Sequence, residues 1–358
     1  MHRDHSRTRL FAVVLLAALV TAACSREQPA DAPESAGTAV PPGPRVFVTN
    51  EVSGDITVID PASASVVATI PVGKRPRGVA LSPDGSTLYV ALSGTPIGGP
   101  DVDESTLPPA DPAADGIGVV SVGELRLLRV IPGGSDPEMV AVSADGSRLF
   151  VANEDIGQAS AIAASDGSVL GTFAVGGEPE GVNLRPDGRM VYVTSEEDNR
   201  VTVVDADALK VVATIPVGPR PRSTAFLPDS TRAYVPAENA GTVSVIDAQA
   251  HTVLSTIQLT GPDLVRPMGT AVSPDGSRLF VTTGRGRHVV IVDTATNQQI
   301  GAVEAGERPW GIAVSSDGRT LFTANGPSND VSNIDVESRT VRARVPAGDR
   351  PWGVAYVP

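Results

Sequence analysis

One cysteine, Cys24, stands in 358 residues. That excludes an intramolecular disulfide and a cysteine-rich metal site. Because Cys24 closes an N-terminal leader, it also excludes a thiol nucleophile or covalent haem attachment in the body of the chain. Histidine is almost as scarce, since beyond the leader only His251 and His288 remain. They fall at different strand ends, too few for a three-histidine zinc centre and without an evident Ser-His-Asp set. Each reads as a solvated turn residue, and no metal or cofactor is expected. Aromatic residues make up 4%, so the core must pack on small and branched side chains. Cations are outnumbered, with 28 Lys and Arg against 41 Asp and Glu, which argues against a nucleic-acid partner because phosphate contacts need clustered cations.

The leader comes next. Arg3, Arg7 and Arg9 precede an apolar run, Leu10 to Ala23, that is too short to span a bilayer and ends in Thr21-Ala22-Ala23-Cys24. A basic start, an apolar stretch and a small-residue cleavage site make a secretory leader. Cysteine directly after the small residues is the expected acylation point, and the segment resembles a bacterial lipobox with Thr21 where leucine is commoner. Ordinary cleavage beside an incidental cysteine is the alternative. The expectation is a signal peptide over 1–23, a lipid on Cys24 and a flexible tether over 24–44. The tether's Pro, Ala, Ser and acids carry almost no large apolar side chain and cannot repay the entropy of folding. Ser25 resembles an outer-membrane sorting choice in a Gram-negative host, so a periplasmic or envelope location follows. Losing the leader's net +2 takes the formal charge from −13 to −15, the balance of a soluble, self-repelling chain expected to be a monomer.

Periodicity sets the architecture of residues 45–358. The run SPDG and its variants place an Asp at 84, 145, 187, 229, 275 and 317, with steps of 61, 42, 42, 46 and 42. A period near 42 is the size of one propeller blade, and each unit divides into four short β-rich runs. Asp-Gly pairs such as Asp84-Gly85 sit where a tight turn needs a positive φ. Each strand type occurs seven times, but out of phase: the first unit, from Arg45, lacks its innermost strand, and the final run, Gly353 to Pro358, is an innermost strand with nothing after it. These halves predict an all-β, seven-bladed propeller of four-stranded blades, closed by pairing of its N- and C-terminal strands.

With FVTNEVSGDITVID at 47–60, VYVTSEEDNRVTVVD at 191–205 and VVATIPVG at both 66–73 and 211–218, the chain resembles the YVTN family of β-propeller repeats over nearly all of 45–358. VRPMG at 265–269, RPWGI at 308–312 and TANGPSNDV at 323–331 are similar to propellers associated with PQQ-dependent catabolism. That likeness implies a periplasmic accessory to quinoprotein alcohol oxidation.

A proline recurs where each outer strand leads to the next inner strand: Pro76, Pro137, Pro179, Pro221, Pro267, Pro309 and Pro351. Proline fixes φ as the chain turns inward, so its neighbours are expected to ring the mouth of the central channel. Before it stand Arg75, Asp136, Glu178, Arg220, Arg266, Arg308 and Arg350; after it stand Arg77, Glu138, Glu180, Arg222, Met268, Trp310 and Trp352. The chain's two tryptophans thus occupy adjacent blades beside arginines. That arrangement suits an aromatic or conjugated anion through stacking, cation–π attraction and bidentate hydrogen bonds. Tryptophans that plug the channel, and arginines that pair with carboxylates of the next blade, are the competing reading at equal weight.

The same face carries a 19-residue excess in repeat two, within 95–114, made acidic by Asp101, Asp103, Glu104, Asp111 and the adjoining Asp115. Its acidity suits a basic docking partner or weak calcium binding; without regular calcium-ligand spacing a solvated loop is preferred to a calcium site. Glu51, Asp55, Glu154, Asp155, Glu196, Glu197, Asp198, Glu238 and Asp330 fall in equivalent loops and form an acidic rim. The leading functional expectation is a non-catalytic, lipid-anchored binding scaffold that takes a protein partner or an anionic small ligand at the mouth. A lyase or hydrolase using Glu138 and Glu180 as acid and base is the enzymatic alternative, and a cell-surface structural protein is the third.

Overall fold

The computed structural model describes residues 43–98 and 104–358. The leader, Cys24, the tether up to residue 42, and Asp101 and Asp103 lie outside the described residues. Seven antiparallel sheets of four strands each are present. Six run outward in chain order, as in the blade made of Pro179–Leu184, Met190–Ser195, Arg200–Asp205 and Lys210–Pro216. The remaining sheet joins Pro351–Val357 to Arg45–Asn50, Asp55–Asp60 and Ser65–Pro71. Its seam pairs Arg45 with Val357, Phe47 with Ala355 and Val48 with Val354. The predicted closure is therefore present, with the inner strand starting at Pro351, two residues earlier than its glycine.

Blades are numbered from this closing one. The core is a set of seven apolar layers, one between each pair of neighbouring blades. Second and third strands lie between two neighbours and are buried on both faces, whereas outer strands alternate with solvent. The scarce aromatics are spent on this packing. Phe47, Tyr89, Phe150, Tyr192, Tyr234, Phe280 and Phe322 occupy the same position of all seven second strands, and all are buried.

On the face opposite the mouth, the SPDG turns close on their own carboxylates. Asp145 accepts from the Ser143 hydroxyl at 2.6 Å and the Ser147 N–H at 3.0 Å, and Gly146 takes φ 73°. These hydrogen bonds hold the Asp145 and Asp275 carboxyls down to about 2. His251, on the same face, meets the Tyr192 hydroxyl at 2.8 Å through Nδ1.

Toward the axis the inner strands approach so closely that side chains are excluded. A Cβ on Gly311 would stand 2.4 Å from the Trp352 carbonyl oxygen, one on Gly269 2.2 Å from that of Trp310, and one on Gly353 2.6 Å from that of Arg77. The threonine of the VTN signature fastens the same joints. Thr49 Oγ1 donates to the Arg77 carbonyl at 2.7 Å and accepts from Gly353 N–H at 2.8 Å; Thr194 and Thr282 do likewise for Arg222 and Trp310. Signature residues thus position the backbone of the mouth ring.

Candidate functional site

Five of the seven inner strands begin at the recurring proline, those of blades 5 and 6 a few residues later, and six of the seven residues before the prolines have left-handed φ. These are Arg75 (39°), Asp136 (45°), Glu178 (46°), Arg220 (58°), Arg308 (51°) and Arg350 (59°); Arg266, in a longer loop, does not. Left-handed non-glycine residues are uncommon, and the residue before proline is kept from the right-handed helical region. The repeated turn therefore throws these side chains onto the mouth in one orientation. Residues after the prolines point into the ring: Arg77, Glu138, Glu180, Arg222, Met268 and Trp352 are all at most 7% exposed, and Trp310 is half-buried.

The ring has two unlike halves. Across blades 2 to 5, Arg77 contacts Glu138, Asp136 at 2.7 Å and Glu154 at 3.1 Å. Arg222 contacts Glu196, Glu180 at 3.0 Å and Glu238 at 2.6 Å. Arg220 stands 2.7 Å from Glu196 and 3.2 Å from Glu238, and Arg75 pairs with Glu51 at 2.9 Å while donating to the Thr95 carbonyl at 2.5 Å. The loop acids thus fold inward onto arginines. Burial opposes the charge on Arg77 and Arg222, yet the surrounding carboxylates raise both above the ordinary guanidinium range.

Carboxylates exceed guanidinium groups here, and two of them are shifted toward the protonated form. Oxygens of Glu138, Glu154 and Glu180 lie within 4.8 Å of one another. Burial, with Glu180 and Glu154 opposing the pull of Arg77, pushes the Glu138 carboxyl well up. Glu196, desolvated and hydrogen-bonded to Glu180, is pushed to about 9. Burial and crowding by neighbouring carboxylates thus favour the protonated form of both groups.

Across blades 6, 7 and 1 the chemistry changes. Trp310 and Trp352 meet edge to face with centroids 5.5 Å apart, and the guanidinium groups of Arg308 and Arg222 lie 5.0 and 5.8 Å from the Trp310 centroid. Among the described residues, Arg308, Arg350 and Arg285 have no carboxylate partner, and Arg266 donates only to the neutral Asn239 side chain at 2.8 Å. Burial first, then repulsion from Arg285, Arg222 and Arg350, lowers the pKa of Arg308. Between the halves Glu180, Arg222, Met268, Trp310 and Trp352 line a cavity of about 60 Å³. It has room for a small group. The indole N–H of buried Trp352 has no acceptor.

The sequence-derived set is thus brought to one mouth but divided. Arg75, Arg77, Arg220 and Arg222 are neutralised; Arg266, Arg308, Arg350 and Trp310 present open chemistry; Met268 and Trp352 fill the channel. Glu138 and Glu180 are both buried against arginine. Sequence reasoning did not reach Arg285, although GRGR at 284–287 stands where other blades carry acids. The loop insertion forms two short turns, Glu104–Thr106 and Pro112–Ala114. Asp115 ties it down, accepting from the Gly94 N–H at 2.7 Å and the Asp136 N–H at 3.1 Å.

Residues 46–218 match a family model described as a choice-of-anchor I domain, and residues 207–344 match one described as a lactonase, 7-bladed beta-propeller. A 47-residue stretch is 47% identical to the PE-PGRS family protein PE_PGRS18 of Mycobacterium tuberculosis, spanning 13% of this chain and only 10% of that protein. Among solved structures, a candidate 6-phosphogluconolactonase from Bacteroides uniformis superposes with a TM-score of 0.71 at 18% identity, over 88% of this chain and 99% of the other. Kuenenia stuttgartiensis hydrazine synthase gives 0.64 at 19%, over 78% and 88%. At such identities the likeness is one of fold, and it agrees with the seven sheets: the chain is an all-β, seven-bladed propeller with four-stranded antiparallel blades.

Proposed function

We propose that the mouth face is a binding surface, and that the protein is a non-catalytic propeller that captures a small anion with a flat apolar body at the arc over blades 6, 7 and 1. One observation carries this reading. Arginines on one side of the ring are fully neutralised by the protein's own carboxylates, while those around the tryptophans are not. Unpaired guanidinium groups beside an indole supply charge-assisted hydrogen bonds and an apolar platform together. The leader supports a lipid-anchored location in the envelope, and the likeness to PQQ-associated propellers supports service beside a quinoprotein oxidation.

The test is calorimetric titration with 2-naphthoate, with its methyl ester as the uncharged control, read alongside the emission of the chain's two tryptophans. Saturable binding of the acid and not the ester is expected, weakened about tenfold or more in the Arg308→Ala/Arg350→Ala double variant. Equal binding in wild type and variant would sink the reading. Hydrolysis of an ester or lactone at the same mouth is a second reading, favoured by the raised pKa of Glu138 and Glu196 and by the lactonase-type match over 207–344. Turnover of a phosphorylated aldonolactone, abolished by Glu180→Gln, would replace the binding reading with this one.

A further inference from the structure

Two arginines that precede the prolines have a glutamate partner from the preceding blade, and two at the open arc have glycine in its place. In two blades the loop residue directly after the second strand is a glutamate that pairs with the arginine preceding the next blade's proline; after blades 2 and 3 the residue before that proline is Asp136 or Glu178, and after blade 5 Arg266 bonds Asn239 rather than Glu238. From blade 1, Glu51 pairs with Arg75 of blade 2 at 2.9 Å; from blade 4, Glu196 pairs with Arg220 of blade 5 at 2.7 Å. In blades 6 and 7 the same position is Gly284 and Gly326, and the arginines they would serve are Arg308 and Arg350. The backbone frame is kept. Glu51 N–H donates to the Arg350 carbonyl at 2.9 Å, and Gly326 N–H reaches the Arg308 carbonyl at 3.5 Å in the corresponding bond. Arg75, Arg220, Arg308 and Arg350 share left-handed φ between 39° and 59°. What differs is the missing carboxylate.

Steric need does not account for Gly326. Its φ is not left-handed, and a Cβ there would find its nearest atoms at 3.8 Å, one of them the Arg350 Cγ. Gly284 is left-handed and crowded by the Arg266 carbonyl at 2.8 Å, so its glycine has a backbone cause as well. The consequence is the same at both: adjacent blades present one arginine each, with the same left-handed φ as in the paired blades, and neither makes an ion pair with a carboxylate among the described residues. Arg285 adds a third positive charge beside Arg308.

We infer that the ligand supplies the two missing carboxylates, so that the site takes a dianion whose acid groups stand one on Arg308 and one on Arg350, its body lying against Trp310. This rests on the binding reading above and narrows it from an anion to a planar molecule with two separated acid groups. A monoanion satisfies one arginine and leaves the other facing like charge, so the second acid group strengthens binding beyond its simple Coulomb share.

The experiment compares naphthalene-2,6-dicarboxylate with 2-naphthoate by calorimetry, on the full propeller and on Gly326→Glu and Gly326→Ala. Wild type is expected to bind the dicarboxylate about tenfold or more tightly than the monocarboxylate. Gly326→Glu, which installs the internal partner of Arg350, is expected to lose that preference and to melt no lower than wild type; Gly326→Ala is expected to keep it. Equal affinity of the two acids for wild type, or an undiminished preference in Gly326→Glu, overturns the inference while leaving anion binding intact. Binding of neither acid overturns it together with the reading on which it rests.

Discussion

Blades 2 to 5 and blades 6, 7 and 1 build the same mouth from the same backbone, yet one arc is a closed ionic network and the other an open cationic and aromatic surface. In the first, Arg77 and Arg222 lie buried among six acids, and burial among like charges raises the pKa of Glu138 and Glu196. In the second, two glycines stand where acids would be, and Arg308 and Arg350 keep their charge unspent. The lesson is that a repeat fold separates stability from binding by blade. Removing a charge from the closed arc should therefore cost stability, and removing one from the open arc should cost ligand.

The largest break comes at the seam, which lies in the open arc. Deleting residues 352–358 removes Trp352 and most of the strand that pairs with Arg45–Asn50, leaving an unpaired edge. An aggregating or protease-sensitive product is expected, and a truncated chain that melts like the whole one would refute the role of the clasp. Next is Arg222→Met, which takes the guanidinium from Glu180 and leaves Glu196 and Glu238 with Arg220 alone. A loss of about 3–5 kcal/mol is expected in urea unfolding at neutral pH, shrinking in acid as the carboxyls take up protons. Gly311→Ala forces a Cβ against the Trp352 carbonyl; about 1–3 kcal/mol of destabilisation with a shifted tryptophan emission is expected.

Smaller effects sharpen the contrast through pH. Glu196 holds its proton up to about 9 in the fold, whereas the unfolded chain releases it near 4.3. Its contribution is fully present below the unfolded value and is lost as pH rises toward 9. Glu196→Gln has no proton to lose, so its melting temperature should fall less than that of wild type between pH 6 and 9. The turn aspartates run the other way. Asp145 and Asp275, held at about 2, stabilise above the ordinary carboxylate range and lose that contribution as pH falls toward 2. Least of all, Arg308→Ala/Arg350→Ala should change stability by no more than about 0.5 kcal/mol, since neither pairs with a carboxylate. A cost like that of Arg222→Met would erase the distinction between the arcs.

Much of this was legible in the chain because it is local and repeated. Apolar alternation, Asp-Gly turns and a recurring proline each act within a few residues, and repetition made seven strands of each kind countable, including the displaced inner strand that closes the ring. The identities of the mouth residues followed from the same register. Their partners did not. Arg77 meets Glu154 across 77 residues of sequence and Arg222 meets Glu196 across 26, and loop acids that read as a solvated rim turn inward onto those arginines. Burial separated two tryptophans that look equivalent in sequence, leaving Trp310 half-open and Trp352 enclosed. The sequence by itself determined the strands, the blade number and which side chains reach the axis, because hydrophobic period and turn chemistry are short-range. Only the tertiary structure decided which charges cancel, since ion pairing and desolvation depend on distances between blades that no local pattern records.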